Sequence, residues 1–506
     1  MATFGERLTA IMAIDPSAIA IAQGDRDYRW HDLARAVSAV NAALDAASIT
    51  QAHRVGVMIH NRASQLAAML ALFTSERCLV VLNPMVARDK LIADIEGLGL
   101  AAIVAEFSDL EVPEIKAAIA TTGCAAIALT PDLGGAEVWR NAQTDLAAIG
   151  DPVHRATAVE MLTSGTTGPP KRVPLSRDAF DAALQGALVY EKGRSADEAP
   201  RLRSGVSLQV GPLAHIAGVF AMLNTLLAGR QLVLFDRFTA QAWREAVVRY
   251  RPKVASLVPT ALRMILDADI PREDLASLTA LRSGTAPLPP ETVMEFLKRY
   301  DLPVLQNYGA TEFIGGISGW TLPDFRRFFL EKPRSCGRIH DGVAARIVDA
   351  DTGTALSMGE EGVLELKTAQ IHGGKDWYRT TDRAIIDADS FLTICGRTDA
   401  AIIRGGFKVH PDEVVRALEA HPAVREVSVV GLPDARLGAV PCAAIILREG
   451  ASASEADMLD FARAHLSAYQ VPVKFLIVDD LPRTPSMKPV LPEVVRMIAA
   501  AMAAQA

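Results

Sequence analysis

Cysteine is sparse in this chain, and its pattern excludes more than its count does. Five cysteines are scattered over 506 residues (Cys78, Cys124, Cys336, Cys395 and Cys442), and no two form a C-x-x-C pair. That spacing weighs against a disulfide framework, offers no zinc site, and suits a reducing, cytoplasmic setting. Positive charge is not in excess either. Lys and Arg number 52 against 59 Asp and Glu, a net charge of −7, which argues against a basic nucleic-acid-binding protein. A local basic pocket is still compatible, because net charge averages over the whole surface. Long apolar runs are missing. The run Val219 to Leu227 is interrupted by Asn224 and Thr225, falls far short of the roughly 20 residues a bilayer span needs, and reads as a buried helix. Met1 to Pro16 carries Glu6, Arg7 and Asp15 and lacks the compact apolar core of a targeting segment. The Ala-rich tail after Met497 has no basic cluster for membrane anchoring. No internal repeat is present.

What is there reads as a folded α/β protein. At 506 residues, half of them apolar and 22% charged, the chain exceeds what one hydrophobic core usually serves, so at least two domains are expected. Strand-like runs at Arg54–Ile59, Cys78–Leu82, 101–105 and 125–129 alternate with helix-like stretches such as Ala63–Leu72. That alternation predicts parallel sheets covered by helices. Glu191 to Ser204 is polar and predicts an exposed loop. A boundary falls near Arg397 to Ala400, beyond which the pattern restarts. A helix is predicted from Pro411 through Leu418, strands at 427–430 and 443–447, and another helix from Glu455 to Leu466. The expected fold class is α/β, with a large N-terminal domain of helix-covered β-sheets (1–397) and a small C-terminal α/β domain (398–506).

The densest chemical signal is Met161-Leu162-Thr163-Ser164-Gly165-Thr166-Thr167-Gly168-Pro169-Pro170-Lys171. A short strand, Thr157 to Leu162, runs into a glycine- and hydroxyl-rich loop ending in one lysine. Glycines let backbone N–H groups approach oxyanions, the hydroxyls donate, and Lys171 adds a point charge, so the loop suits phosphate. It is not a Walker A loop, because Pro169-Pro170 precedes the lysine and Arg172-Val173-Pro174 follows it. No helix can begin there, and the chain must return to extended structure.

This loop resembles the signature of the adenylate-forming acyl-CoA synthetases, luciferases and peptide-synthetase adenylation domains, approximately S-G-T-T-G-x-P-K-G. Five further motifs follow in family order. Pro212-Leu213-Ala214-His215-Ile216-Ala217-Gly218 resembles the gate motif, and Asn307-Tyr308-Gly309-Ala310-Thr311-Glu312 resembles Y-G-x-T-E. Tyr378-Arg379-Thr380-Thr381-Asp382 resembles Y-R-T-G-D, Gly396-Arg397-Thr398-Asp399 the G-R-x-D hinge, and Leu481 to Lys488 resembles L-P-R-T-x-x-G-K. Together they cover about residues 160–490; the first 150 carry no such motif.

The resemblance implies an enzyme that activates a carboxylic acid with ATP and Mg²⁺, then passes the acyl group to CoA. A carboxylate resists attack until it gains a leaving group such as AMP, and the crowded negative charge then needs cations and donors. By resemblance Thr163, Ser164, Gly165, Thr166, Thr167, Gly168 and Lys171 hold the β- and γ-phosphates. Gly284, Thr285, Ala286, Asn307, Tyr308 and Gly309 surround the nucleotide, with the Tyr308 ring on adenine. Thr311 contacts the α-phosphate and Glu312 binds Mg²⁺. Asp382 and Arg397 take the ribose hydroxyls. Lys488 bridges carboxylate and α-phosphate, and Asp399 is the hinge about which a mobile C-terminal domain turns. Gly405, Gly406 and Phe407, within Arg404 to Val409, resemble the loop lining the pantetheine channel, and His215 the gate between acyl pocket and thiol tunnel. Each residue also has a plain reading: His215 starting a helix, Tyr308 as core, Asp382 or Lys488 as solvated surface. Glu312 beside the apolar Phe313 to Ile317 and Lys488 between Met487 and Pro489 fit that plain reading less well.

Three positions depart from the family pattern. Arg172 replaces a Gly, and either stiffens the loop exit or brings a second cation toward the pyrophosphate. Thr381 replaces a Gly and would be strained if the backbone there needs positive φ. Met487 replaces the Gly before Lys488 and alters how the lysine loop folds. The pocket wall implied by the resemblance (His215, Val219, Phe220, Met222, Ala286, Ile314, Gly315, Gly316, Ile317) is largely apolar, with no carboxylate for an amino-acid substrate. That composition suits an aliphatic, alicyclic or aromatic monocarboxylate. The expected partners are that acid, ATP and CoA, with no nucleic acid, no integral membrane association, and a monomer or homodimer. Transfer to a carrier protein or amine, or a non-catalytic nucleotide-binding relative, are the alternatives.

Overall fold

The apolar runs of the first 160 residues become the inside of a seven-stranded sheet. The computed structural model describes residues 2–162, 171–188, 198–484 and 487–504. They divide into two compact units. One comprises most of the chain up to Val343 together with Thr368–Asp376; the other holds Ala344–Lys367 and the chain from Trp377 onward.

In the large unit the sheet order is Gly135–Arg140, Ala125–Thr130, Ala102–Glu106, Arg54–Met58, Cys78–Leu82, Thr157–Leu162, Arg172–Ser176. The five inner strands are parallel and the two edges antiparallel. Cys78–Leu82 and Ala102–Glu106 are buried at every position. Helices cover both faces of such strands, and this is why they read as continuous runs rather than alternations. The helix Ala63–Thr74 is apolar all round and buried from Ala63 to Phe73. Val219 to Leu227 lies within the helix Ile216–Leu227, as its composition predicts. A second sheet orders Val254–Ser256, Ala280–Ser283, Val304–Gly309, Gly316–Gly319 and Arg338–Ile339. Its first three strands are parallel and the rest antiparallel. Part of the predicted loop Glu191–Ser204, residues 191–197, lies outside the described residues; in the remainder Glu198 pairs with Arg201 and Arg203.

The smaller unit is built from antiparallel ladders. Ala344–Val348, Glu361–Lys367, Tyr378–Ile386 and Leu392–Arg397 form one sheet. The strands expected at 427–430 and 443–447 lengthen into a hairpin, Val424–Asp434 with Gly438–Leu447. Among the described residues, parallel pairing here is confined to Phe475–Ile477 on Gly438–Leu447. The helix Pro411–Glu419 starts with Pro at its first turn, and Glu455–His465 starts with a Ser454/Asp457 capping box. One apolar layer joins Val414, Leu418, Met458 and Ala462 to one face of the sheet. Val494 and Ile498 of the helix Leu491–Ala503 pack on the other face.

The contact division falls at Val343/Ala344, earlier than the sequence-derived boundary at 397/398. The sheet ending at Arg397 is tied to the helix Pro411–Glu419. Arg383 pairs with both Glu361 and Glu413, and Gln470 donates to Glu413 at 2.8 Å. A Cβ on Gly396 would meet the Asp412 carboxylate at 2.7 Å. No helix among the described residues is long and apolar enough to cross a membrane, and all five cysteines are buried free thiols.

Candidate active site

In the large unit the two strands that flank the phosphate-suited loop are paired. Leu162 and Arg172 are register partners on antiparallel strands, so the flanks of the loop lie side by side. Thr163, Ser164, Gly165, Thr166, Thr167 and Gly168 lie outside the described residues, and Lys171, just beyond them, is exposed. The strand Arg172–Ser176 packs against the short 3₁₀ turn Thr311–Phe313. Two motifs about 140 residues apart in the sequence are thereby brought together. Arg172 does not add a cation to the loop. Its guanidinium is mostly buried, donates to Val81 O at 3.2 Å, and pairs with Asp94 at 2.8 Å.

Around the tyrosine strand the backbone is shaped by lack of room. A Cβ on Gly284 would collide with the Asn307 side chain, and one on Gly309 would meet Gly315 O at 2.5 Å. Thr285 and Ile314 have φ of 72° and 64°. Positive φ at a β-branched residue costs on the order of 1–3 kcal/mol and persists only where the surroundings enforce it. Tyr308 is half-buried, its ring centroid 6.2 Å from that of Phe313, and Asn307 is exposed. Thr311 and Glu312 are half-buried on the turn that follows. No cluster of three or more metal-ligating side chains occurs among the described residues. A single Glu312 carboxylate fits Mg²⁺ that arrives on phosphate and keeps most of its waters.

His215 occupies the N-cap of Ile216–Leu227, yet its side chain makes no capping bond; helix initiation does not explain it. Gly218 is required because a Cβ there would collide with Pro212 O. Sequence reasoning missed Asn61. Its side chain accepts from Leu213 N at 2.8 Å and donates to Gly211 O and Phe235 O, tying down the His215 loop. The pocket candidates split into two layers. Val219, Met222, Ile314 and Ile317 are fully buried, while His215, Phe220, Ala286, Gly315 and Gly316 keep partial exposure. A Cβ on Gly315 would touch the Phe220 ring at 3.3–3.6 Å, so the gate helix and the glycine pair face each other. His340, also missed, lies against Gly316 and Gly319. A lone His at a strand end carries no motif signal.

In the smaller unit Asp382 and Arg397 stand directly opposite each other on adjacent strands. Thr398 donates to Thr381 O through both N–H and hydroxyl, at 2.8 and 3.0 Å. Thr381 has no positive φ, so the strain its β-branch would have caused does not arise. Arg397 makes a two-point pair with Asp399, at 2.8 and 2.6 Å. Burial, and secondarily the charge of Arg397, hold the Lys488 ammonium below the ordinary lysine range. The lysine loop is closed by Thr484 N to Lys488 O and Met487 N to Thr484 O, both 2.8 Å. Arg483 clamps it with a two-point pair to Glu426 at 3.0 and 2.7 Å. Met487 has φ of 65°, the left-handed conformation that favours glycine. Gly405 and Gly406 also have positive φ, 55° and 88°, and the exposed Phe407 ring stacks on Tyr469 at 4.9 Å.

The family model of the AMP-binding enzymes matches residues 9–374, and the model of their C-terminal domain matches 413–488. The chain belongs to the AMP-binding enzymes. Its curated relatives include CoA ligases. It is 27% identical over 492 residues to a 2-succinylbenzoate–CoA ligase of Bacillus subtilis, covering 94% of each chain. The o-succinylbenzoate CoA synthetase of Bacillus subtilis, solved with ATP and a magnesium ion, superposes with a TM-score of 0.76 at 25% identity, over 96% of this chain and 98% of that one. The amide bond synthetase McbA of Marinactinospora thermotolerans superposes with a TM-score of 0.79 at 26% identity, over 98% and 99%. As an AMP-binding enzyme this chain departs from the common motif letters at Arg172, Thr381 and Met487. Only Met487 puts a side chain where the backbone calls for glycine.

Proposed function

We propose that this AMP-binding enzyme joins an apolar aliphatic, alicyclic or aromatic monocarboxylate to CoA in two steps. First a carboxylate oxygen attacks the α-phosphorus of ATP, the bond to the β-phosphate oxygen breaks, and pyrophosphate leaves. Then the CoA sulfur attacks the acyl carbon, the bond to AMP breaks, and the thiol proton is released. The observation that carries this reading is that Asp382 and Arg397, from two separate motifs, are partners on adjacent strands, and that the Arg397 charge acts on Lys488 of a third motif. Asp382 accepts from the ribose hydroxyls and Arg397 donates to them. Lys488 neutralises charge shared by carboxylate and α-phosphate, where a preorganised cation in a water-poor site does most for the rate. The glycine-rich loop, Thr163 to Lys171, grips the β- and γ-phosphates. Thr311 holds the α-phosphate, Glu312 carries Mg²⁺, Tyr308 stacks on adenine beside Asn307, and His215 gates the acyl pocket. Asp399 is the pivot of the C-terminal domain, residues 398–506, and Gly405, Gly406 and Phe407 admit the pantetheine arm.

A panel of carboxylic acids scored for AMP release, with and without CoA, tests the reading. CoA-dependent AMP release with thioester formation is the expected result. The likeness to an amide bond synthetase favours one second reading, transfer to an amine, which would show as acid-dependent AMP release driven by amines and indifferent to CoA.

A further inference from the structure

Three strand ends of one sheet meet at a single asparagine. The strands Val206–Gln209, Gln231–Leu234 and Ile19–Gln23 are neighbours in a four-stranded sheet of the large unit and run parallel, so their carboxyl ends lie on one side. Asn61 belongs to a different sheet. It follows Arg54–Met58 of the seven-stranded sheet and precedes the helix Ala63–Thr74. Its Nδ2 donates to Gly211 O at 3.3 Å and to Phe235 O at 3.1 Å, each close past one of the three strands. Its Oδ1 accepts from Leu213 N at 2.8 Å. At the third strand end, Gln23 donates to Asn61 O at 2.9 Å and accepts from Ala63 N at 3.0 Å. A main-chain N–H only donates and a carbonyl oxygen only accepts, so these partners demand an amide in one orientation.

The segment that this amide grips leads directly into His215. Gln209 also donates to Gly211 O, at 2.8 Å, and the Leu213 side chain is fully buried. On the far side of the segment, His215 N donates to Pro212 O at 3.1 Å, and the N–H groups of Gly218 and Val219 donate to His215 O at 2.9 and 3.1 Å. The place of His215 is therefore set from two sides. The helix Ile216–Leu227 holds it from behind, and Asn61 holds it from in front, through side-chain bonds to a different sheet. Removing the amide would leave Leu213 N and two carbonyl oxygens without that partner. The loop would loosen on the side of Gly211 while its helix stayed in place.

Resting on the reading of His215 as the gate of the acyl pocket, we infer that Asn61 is a positioning residue for that gate, governing how the acid is bound by fixing the loop that presents His215. The test is a double-mutant cycle of Asn61→Ala and His215→Ala. It is read by KM and kcat for AMP release with the acid used best in a panel that includes hexanoate, cyclohexanecarboxylate and benzoate. Asn61→Ala should raise KM for the acid about tenfold, keep most of kcat, and move KM for ATP by less than about twofold. In the His215→Ala background the same change should add less than about twofold, because the two residues act as one unit. Asn61→Asp has nearly the same shape but turns an acceptor toward both carbonyls, and should do no better than Ala. If Asn61→Ala does not fold, the Asp variant carries the cycle. Additive effects, equal rises in KM for acid and ATP, or wild-type kinetics in Asn61→Asp would show a residue that only supports the fold, and would overturn the inference alone. An unaltered acid KM in His215→Ala would overturn the gate reading and the inference with it. Absence of AMP release with every acid would overturn the activity on which both rest.

Discussion

Gly218 and Arg397 hold their surroundings by opposite means. In the large unit the candidate residues are positioned by exclusion. Gly218 lies against Pro212 O, Gly284 against Asn307, and Gly309 against Gly315 O, each too close for a Cβ. Thr285 and Ile314 are forced to positive φ nearby. In the smaller unit the candidates are positioned by charge. Arg397 is paired with Asp399, Arg483 with Glu426, and Arg383 with Glu361 and Glu413. Steric positioning is rigid and indifferent to salt, and one methyl group breaks it. Charge positioning can be exchanged, one ion pair for a ligand's hydroxyl or phosphate, and suits groups that must meet a ligand in turn.

The largest expected effect lies on the charged side. Lys488→Ala should slow adenylation, read by pyrophosphate exchange, by about three orders of magnitude, because the lost cation acts on charge developing in the transition state. Thioester formation from a preformed acyl-adenylate should largely survive. The same lysine sets a pH dependence. The ammonium is the protonated form, and its pKa is lowered. Adenylation should therefore fall as pH rises through that lowered value, at lower pH than an ordinary lysine would give. A rate flat to the ordinary lysine range would remove Lys488 from the charged cluster.

Next comes Asp382→Ala, which should weaken ATP binding by about 1.5–3 kcal/mol for each charged hydrogen bond lost. Calorimetry on the folded variant checks it, and unchanged affinity would break the ribose assignment. On the steric side, Gly218→Ala should cost about 1–3 kcal/mol of stability, since Pro212 main chain must move to admit the methyl. A shifted denaturant midpoint is the readout; an unshifted one would mean the His215 loop is not sterically fixed. The smallest effect sharpens the contrast, because Met487 is a steric misfit within the charge-held region. Met487→Gly should stabilise by up to about 1 kcal/mol, the relief of a left-handed conformation less the entropy glycine loses on folding. A melting temperature lower than wild type would contradict it.

Several elements are legible in the sequence alone. The strand Thr157–Leu162, the return to extended chain after Lys171, and the helix at Pro411 follow from local patterns and from proline's fixed φ and missing N–H. The three departures are visible as letters, yet their consequences are not. Arg172 turns to Asp94, Thr381 lies in relaxed strand, and only Met487 falls in the glycine conformation. Each outcome depends on φ or on a partner far away in sequence.

The sequence by itself determined the alternation of strands and helices, the phosphate-suited loop, and the order of motifs that marks an AMP-binding enzyme. These are written in short stretches whose periodicity, turn chemistry and residue types act locally. Only the tertiary structure decided that Asp382 faces Arg397, that Asn61 secures the His215 loop, and that His340 lies on two glycines. Sheet register and close packing join residues tens to hundreds of positions apart, and no local pattern records which of them will meet.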